Sequence, residues 1–592
     1  MKRAGTVSGV TLTLTLTLTA AAVGMTLGAC QLVGDITDRS LESPGGDDGA
    51  TLTDSRAPGV DGTVEKDGAP GSRPDANASS DAAIDGGNDA TAPECLTNAQ
   101  CTARASAEAT EAGSVAATGD AAFNGILDGG VVPAVCVQSI GKCAPLLTPD
   151  CRALYGDYTN DNSILVGTIF NTTGSLAGAN IPRQQAALLA AQEINSSVSG
   201  GGIPGVDGGP VRPLLVVECD PTANTIRTAT HLAGDLHVAA VVGPNVAEDI
   251  LNITQQVSAS AGMLMMSPTV PIDPVTDLKD NGLTWRDIPS DSQRAPLYGD
   301  QIGALVTQLT GLGRSNLKLG VIVRNDALGS SALHAISSVA FGSNLTVGSP
   351  AANVTIDEYA LSDTAAQAAI ATKYAASVPD IIFVIAQEAV ASIVIPLEQQ
   401  LMTAGTPANK RPYYIATDTA KTTGWLSLPT GVASDFRSRV RGVGVTPDSA
   451  SVTVFDAFNA AYKGAYSTNP GTAGMGPAYD AMYSVAYAIA AGGGAPVTGA
   501  SVAQGLSQLD YGSSFPVGSN MAGAAFQTLA TAGHISLQGT FTVMHWDSKG
   551  DMVGGTLQVW CVSAGTPAAF ASSGRNRDLT SGMISGTYTA CQ

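Results

Sequence analysis

Histidine is scarce, five in 592 residues, and charged residues make up only 13% of the chain. His231 and His237 flank a turn at a spacing that suits no metal, and His334, His534 and His545 stand alone. His-Glu-x-x-His, Gly-x-Ser-x-Gly and the phosphate-loop pattern are all missing, so no sequence argument exists for an enzyme, a metal site or a cofactor. Basic charge is also short. Lys and Arg number 29 against 50 Asp and Glu, a net charge of −21 that repels phosphate backbones and argues against a nucleic-acid partner. Beyond the first thirty residues no apolar run approaches the roughly 20 residues a membrane helix requires. Phe, Tyr and Trp are absent from 31–94.

The start of the chain reads as a targeting segment rather than as fold. Lys2 and Arg3 precede an apolar stretch over 10–27, which closes on Leu27-Gly28-Ala29-Cys30. The Thr/Leu alternation over 11–19 suits a strand, but its place behind a basic start favours a leader. Residues 1–30 resemble a bacterial lipoprotein signal, in which small residues precede a lipidated cysteine, here Cys30. An ordinary cleaved signal with an unrelated cysteine is the alternative. Gln31 stands where an Asp would favour inner-membrane retention, so the expected location is the cell envelope, facing the periplasm, on the outer membrane.

Residues 31–94 hold fourteen acidic against four basic residues, with much Gly, Ala, Ser and Pro. Such a segment buries too little apolar surface to offset its ordering entropy and is expected to be a disordered acidic linker. A small Cys-rich module follows over 95–150. In an exported chain Cys95, Cys101, Cys136 and Cys143 imply two disulfides, with three pairings open. A zinc site is the alternative, but the spacings match no common zinc pattern and no His lies nearby.

From Cys151 onward β-branched runs alternate with helical periodicity, the signature of βαβ units and parallel sheets. Strands are expected over 164–170, 213–220, 238–242 and 263–266. Helices are expected over 182–195, 221–232 and 247–261. The rhythm restarts with strands over 318–323, 380–385 and 413–417 and helices over 292–312, 330–341 and 390–403. Two such sheets exceed one comfortable core, so an α/β architecture of two Rossmann-like lobes is expected.

Several pieces now line up in order. They are Val166-Gly167-Thr168-Ile169-Phe170-Asn171-Thr172-Thr173-Gly174, Ala191-Gln192-Glu193-Ile194-Asn195 with a Gly-rich turn, Cys219-Asp220-Pro221, Val241-Val242-Gly243-Pro244 and Met265-Met266-Ser267-Pro268. Trp285-Arg286, Pro289-Ser290-Asp291, Gly476-Pro477-Ala478-Tyr479-Asp480-Ala481 and Trp546-Asp547-Ser548-Lys549-Gly550-Asp551 follow. Over 163–562 the chain resembles the type I periplasmic binding proteins of the branched-chain amino acid ABC-transporter kind. The resemblance implies two lobes joined by three crossings, lobe one over 160–288 with 447–535 and lobe two over 289–446 with 536–565. Residues 566–592 then form a C-terminal extension. It further implies a small-molecule solute held between the lobes and an ABC permease complex as partner, with the membrane reached through the lipid anchor.

Asn245, Val246 and Ala247 open a helix after a strand, and its free N–H groups suit a carboxylate. Asn245 can equally cap that helix. Ser267 and Thr269 add hydroxyls after the next strand. Thr172 and Thr173 belong either to the site or simply to their turn. In lobe two, Asn325, Leu328 and Gln387 are expected to line the cleft. Asp418 matches the place where the family holds an amino group with an acid, or else it caps the following helix. Three departures stand out. Leu328 replaces a common aromatic, Pro271 a hydroxyl residue and Ala247 a small polar one, and a different or larger solute is the implied alternative. Cys219 matches a family half-cystine whose usual partner position holds Val246. Cys151 is the expected replacement partner for Cys219, and a separate Cys561–Cys591 pair is expected to close the C-terminal end.

Overall fold

Ile164–Ile169 and Leu214–Cys219 are runs of β-branched and aliphatic residues flanked by Asn, Asp and Pro, and both become interior strands with almost every side chain buried. The computed structural model that contains them describes residues 93–591, apart from 113–124, 128, 198–200, 206–207, 343–344, 350, 428–431, 433, 564 and 566. The leader with Cys30, and all but the end of the linker over 31–94, lie outside the described residues.

Lobe one is built on a six-stranded sheet in the order Cys151–Tyr155, Leu214–Cys219, Ile164–Ile169, Ala240–Val242, Leu264–Ser267, Thr284–Arg286. All neighbours are parallel except the first pair, where Cys151 sits opposite Cys219. Helices Ala177–Ser197 and Met475–Ala491 pack on one face, and the helical segment over 247–261 lies on the other. Met475–Ala491 has fifteen buried residues, which fits a helix with apolar side chains on all sides.

Lobe two has eight strands in the order Val354–Tyr359, Leu319–Arg324, Ile381–Val384, Tyr413–Ala416, Val440–Thr446, Thr556–Val562, Phe570–Asp578, Ile584–Ser585. The first five run parallel and the last three add antiparallel. Both sheets carry helices on both faces, as parallel sheets demand. Three crossings join the lobes. Thr284–Arg286 leads into helix Asp291–Gly311, Val440–Thr446 into helix Val452–Tyr466, and Met552 of the lobe-one core into Thr556–Val562. Arg286 and Asp551 form an ion pair of 2.7 Å beside the first and third crossings.

Four expectations shift. Helix Ala177–Ser197 begins earlier than 182, so Pro182 lies inside it rather than at its first turn, and Asn180 ties the lead-in turn down by donating to the Asn171 carbonyl. Segment 536–552 belongs with lobe one, because Leu537, Met544, Trp546 and Met552 insert in its core. The residues after 566 are no appendage; strands Phe570–Asp578 and Ile584–Ser585 extend the lobe-two sheet. The Cys-rich module shares lobe one's core through Val135, Val137, Ala144 and Leu146. Its disulfides are Cys95–Cys136 and Cys101–Cys143, and Cys151–Cys219 and Cys561–Cys591 are also paired. Among the described residues no helix is long and apolar enough to cross a membrane.

Candidate functional site

Parallel strands end on one side of each sheet, and the loops that follow them are free of ladder hydrogen bonding. Binding clefts of open α/β folds therefore sit at the strands' carboxyl ends. Here the ends of Ala240–Val242 and Leu264–Ser267 in lobe one face those of Leu319–Arg324, Ile381–Val384 and Tyr413–Ala416 in lobe two. The cavity between them encloses about 70 Å³ and is lined by Leu176, Asn180, Arg183, Asn245, Val246, Ala247, Thr269, Val270 and Pro271 from lobe one. Arg324, Leu328, Gln387 and Thr419 complete it from lobe two. A smaller recess of about 30 Å³ shares Arg183, Thr269 and Thr419 with it and adds Asp418, Gly474 and Pro477.

Six sequence candidates thus line the main cavity: Asn245, Val246, Ala247, Thr269, Leu328 and Gln387. Asn245 does not cap the helix. Its Oδ1 accepts from the Asn171 N–H at 3.1 Å, and Val246 occupies the cap position without a side-chain bond, leaving the helix start open toward the cleft. Thr269 donates to the Asn245 carbonyl at 3.3 Å, so this loop braces its neighbour. The Gln387 amide has no protein hydrogen-bond partner among the described residues.

Five candidates lie elsewhere or differ in role. Ser267 is fully buried and its hydroxyl donates to the Pro244 carbonyl at 2.8 Å, which holds the loop rather than facing the cleft. Asn325 is exposed and lines neither cavity. Thr172 and Thr173 line a separate groove on lobe one alone, of about 590 Å³, with Asp150, Glu218 and Asp220, and Thr172 donates to Asp220 at 3.2 Å. That groove is the larger space, but no residue of lobe two reaches it; the interlobe cavity is where two sets of strand ends converge. Asp418 lines the recess, but its carboxylate is already attended by cations. Arg294 lies 3.6 Å away, and its charge also acts on Arg183 and Lys421. It caps no helix.

Sequence reading missed Asn180, Arg183, Arg324 and Thr419. Arg183 lies two turns into a helix that was expected to start at Pro182, so its face could not be assigned. Its Nε donates to the Ala473 carbonyl and its Nη1 to Asn180, both at 2.8 Å. Gly474 makes this possible. It has φ +88°, and a Cβ there would stand 2.4 Å from Thr269 Cγ2 and 3.0 Å from Arg183 Nε. Burial beneath the cleft pushes the Arg183 pKa down to about 10, against the opposing pull of Asp418. Arg324 is neutralised by Asp326 and, at 3.5 Å, Glu388.

Two lobes of this topology with three crossings define the type I periplasmic binding protein fold. In structure, the chain is similar to the substrate-binding protein LivJ of a branched-chain amino acid transporter from Streptococcus pneumoniae, in complex with isoleucine. The TM-score is 0.50 at 19% identity, over 69% of this chain and 99% of that one. It is similar also to a possible leucine/isoleucine/valine-binding protein from Rhodopirellula baltica, with TM-score 0.50 and 12% identity over 69% and 96% of the two chains. No protein-family model matches the sequence, and no curated protein matches it.

Proposed function

We propose that this protein is an extracytoplasmic solute receptor that closes its lobes on a small polar solute, an amino acid or a related compound, and hands it to an ABC importer. One observation carries this reading: strand-end loops of both lobes, joined through three crossings, converge on a single cavity. The cavity lining supplies amide, hydroxyl, guanidinium and apolar groups, from Asn180, Gln387, Thr269, Arg183 and Leu328, which suit the holding of a small polar solute. Solute that contacts both lobes binds the closed form better than the open one, which is the differential affinity that drives closure. Cys30 would carry the lipid anchor, on the outer membrane, with the acidic linker as its tether. A sensing role in the cell envelope is the second reading. The fused Cys-rich module favours it, because the module adds a surface on lobe one that solute capture does not use.

Thermal-shift screening of amino acids and small carboxylic acids against the folded chain tests the proposal. A solute at a hundredfold excess over its Kd adds about 2.7 kcal/mol of stability. If no member of the panel raises Tm, the solute-receptor reading fails.

A further inference from the structure

The charges around the recess do not balance. Arg183, Arg294 and Lys421 all act on Asp418, and Arg294 has Asp291 as a second acid at 3.7 Å. Three cations therefore share two carboxylates. Of the two arginines that line the main cavity, Arg324 is held by Asp326 and Glu388. Among the described residues Arg183 has no carboxylate within 4.0 Å, and its Nη2 has no hydrogen-bond partner.

An ammonium group placed at Asp418 would become a fourth cation around it. An anion placed at Arg183 would satisfy the free guanidinium edge and lie beside the uncapped helix start at Val246 and Ala247, which lines the same cavity. We propose that the solute is an anion, a small carboxylic acid without need of an amino group, and that Arg183 is the residue that selects it. This rests on the solute-receptor reading and narrows its substrate class. Gln387 offers the polar contact from lobe two, and Leu328 with Val270 leaves room for an apolar body.

Isothermal titration calorimetry on the folded chain tests this with matched pairs: 4-methylpentanoate against leucine, glutarate against glutamate and 3-phenylpropanoate against phenylalanine. In the pair that binds, the deaminated acid is expected to bind at least about tenfold more tightly than its amino acid. Arg183→Gln is expected to weaken the acid about thirtyfold or more, the usual result of removing one partner of a desolvated charge pair. Arg183→Lys keeps the charge but loses the planar fork, so its loss is expected to be smaller. If Arg183→Gln does not fold, the pairs and Arg183→Lys decide. Amino acids that bind more tightly than their deaminated partners, or an acid affinity untouched by both Arg183 variants, overturn the anion assignment and leave the receptor reading standing. Heat from no pair removes both.

Discussion

Glu248 of lobe one accepts a hydrogen bond from the backbone N–H of Ala327 in lobe two, at 2.6 Å. Glu248 sits in the first turn of the helix that opens at Ala247, and Ala327 is the first residue of helix Ala327–Ile336. The carboxylate therefore stands at the positive end of the opposite lobe's helix and spans the cleft mouth. A hydrogen bond to a charged group contributes about 1.5–3 kcal/mol. Glu248→Ala is expected to shift the lobes toward the open state and raise solute Kd by about tenfold, chiefly through faster release. Stopped-flow dissociation measures it; an unchanged off-rate would show that the bond does not hold the closed state.

Buried acids give the fold a pH slope of definite sign. Burial pushes Asp480 to about 7, against hydrogen bonds from the Thr540 hydroxyl and N–H, and pushes Asp291 to about 6, against Arg294 and Ser331. Both folded values exceed the ordinary carboxylate pKa of about 4, so the folded chain holds protons that the unfolded chain releases. Their contribution is complete at acid pH and is lost as pH rises from about 4 to about 7. For Asp480 the loss is on the order of 4 kcal/mol at most. Urea unfolding between pH 4 and 8 is expected to show this fall, and Asp480→Asn to flatten it. A variant slope equal to that of the parent contradicts the assignment.

The Cys-rich module depends on its bridges. Cys95–Cys136 and Cys101–Cys143 close loops of 41 and 42 residues around a small cluster that, among the described residues, buries Cys95, Cys101, Ala134 and Cys136. Each such loop is worth about 4 kcal/mol in the chain-entropy account. Replacing Cys101 and Cys143 by Ser is expected to free helix Asn98–Glu111 to proteolysis while lobe two keeps its melting behaviour. Full resistance of that helix to trypsin would contradict this.

Strands such as Ile381–Val384 were legible because both sheets are buried on two faces and these strands read as unbroken aliphatic runs, whereas Val440–Thr446, interrupted by Arg441, Gly442 and Gly444, was not. Edge strand Val354–Tyr359 escaped notice. Its half-buried Thr355, Ile356 and Asp357 and exposed Glu358 break that pattern. The lobe boundary near 536 was misplaced because Leu537, Met544 and Trp546 carry no sign of which of two cores will take them. In the cleft, residues adjoining a strand end, such as Ala247 and Gln387, could be read from sequence position. Arg183 could not, since the partner of a guanidinium inside a helix is set by tertiary contacts such as Ala473, some 290 residues away.

The most direct measurement is hydrogen exchange with and without a saturating amount of the tightest-binding acid from the matched pairs. Binding between the lobes should slow exchange together at 245–250 and 269–271 in lobe one and at 327–330, 386–389 and 418–421 in lobe two. Protection confined to one lobe, or centred on the Thr172 and Thr173 groove, would contradict a solute gripped by both halves.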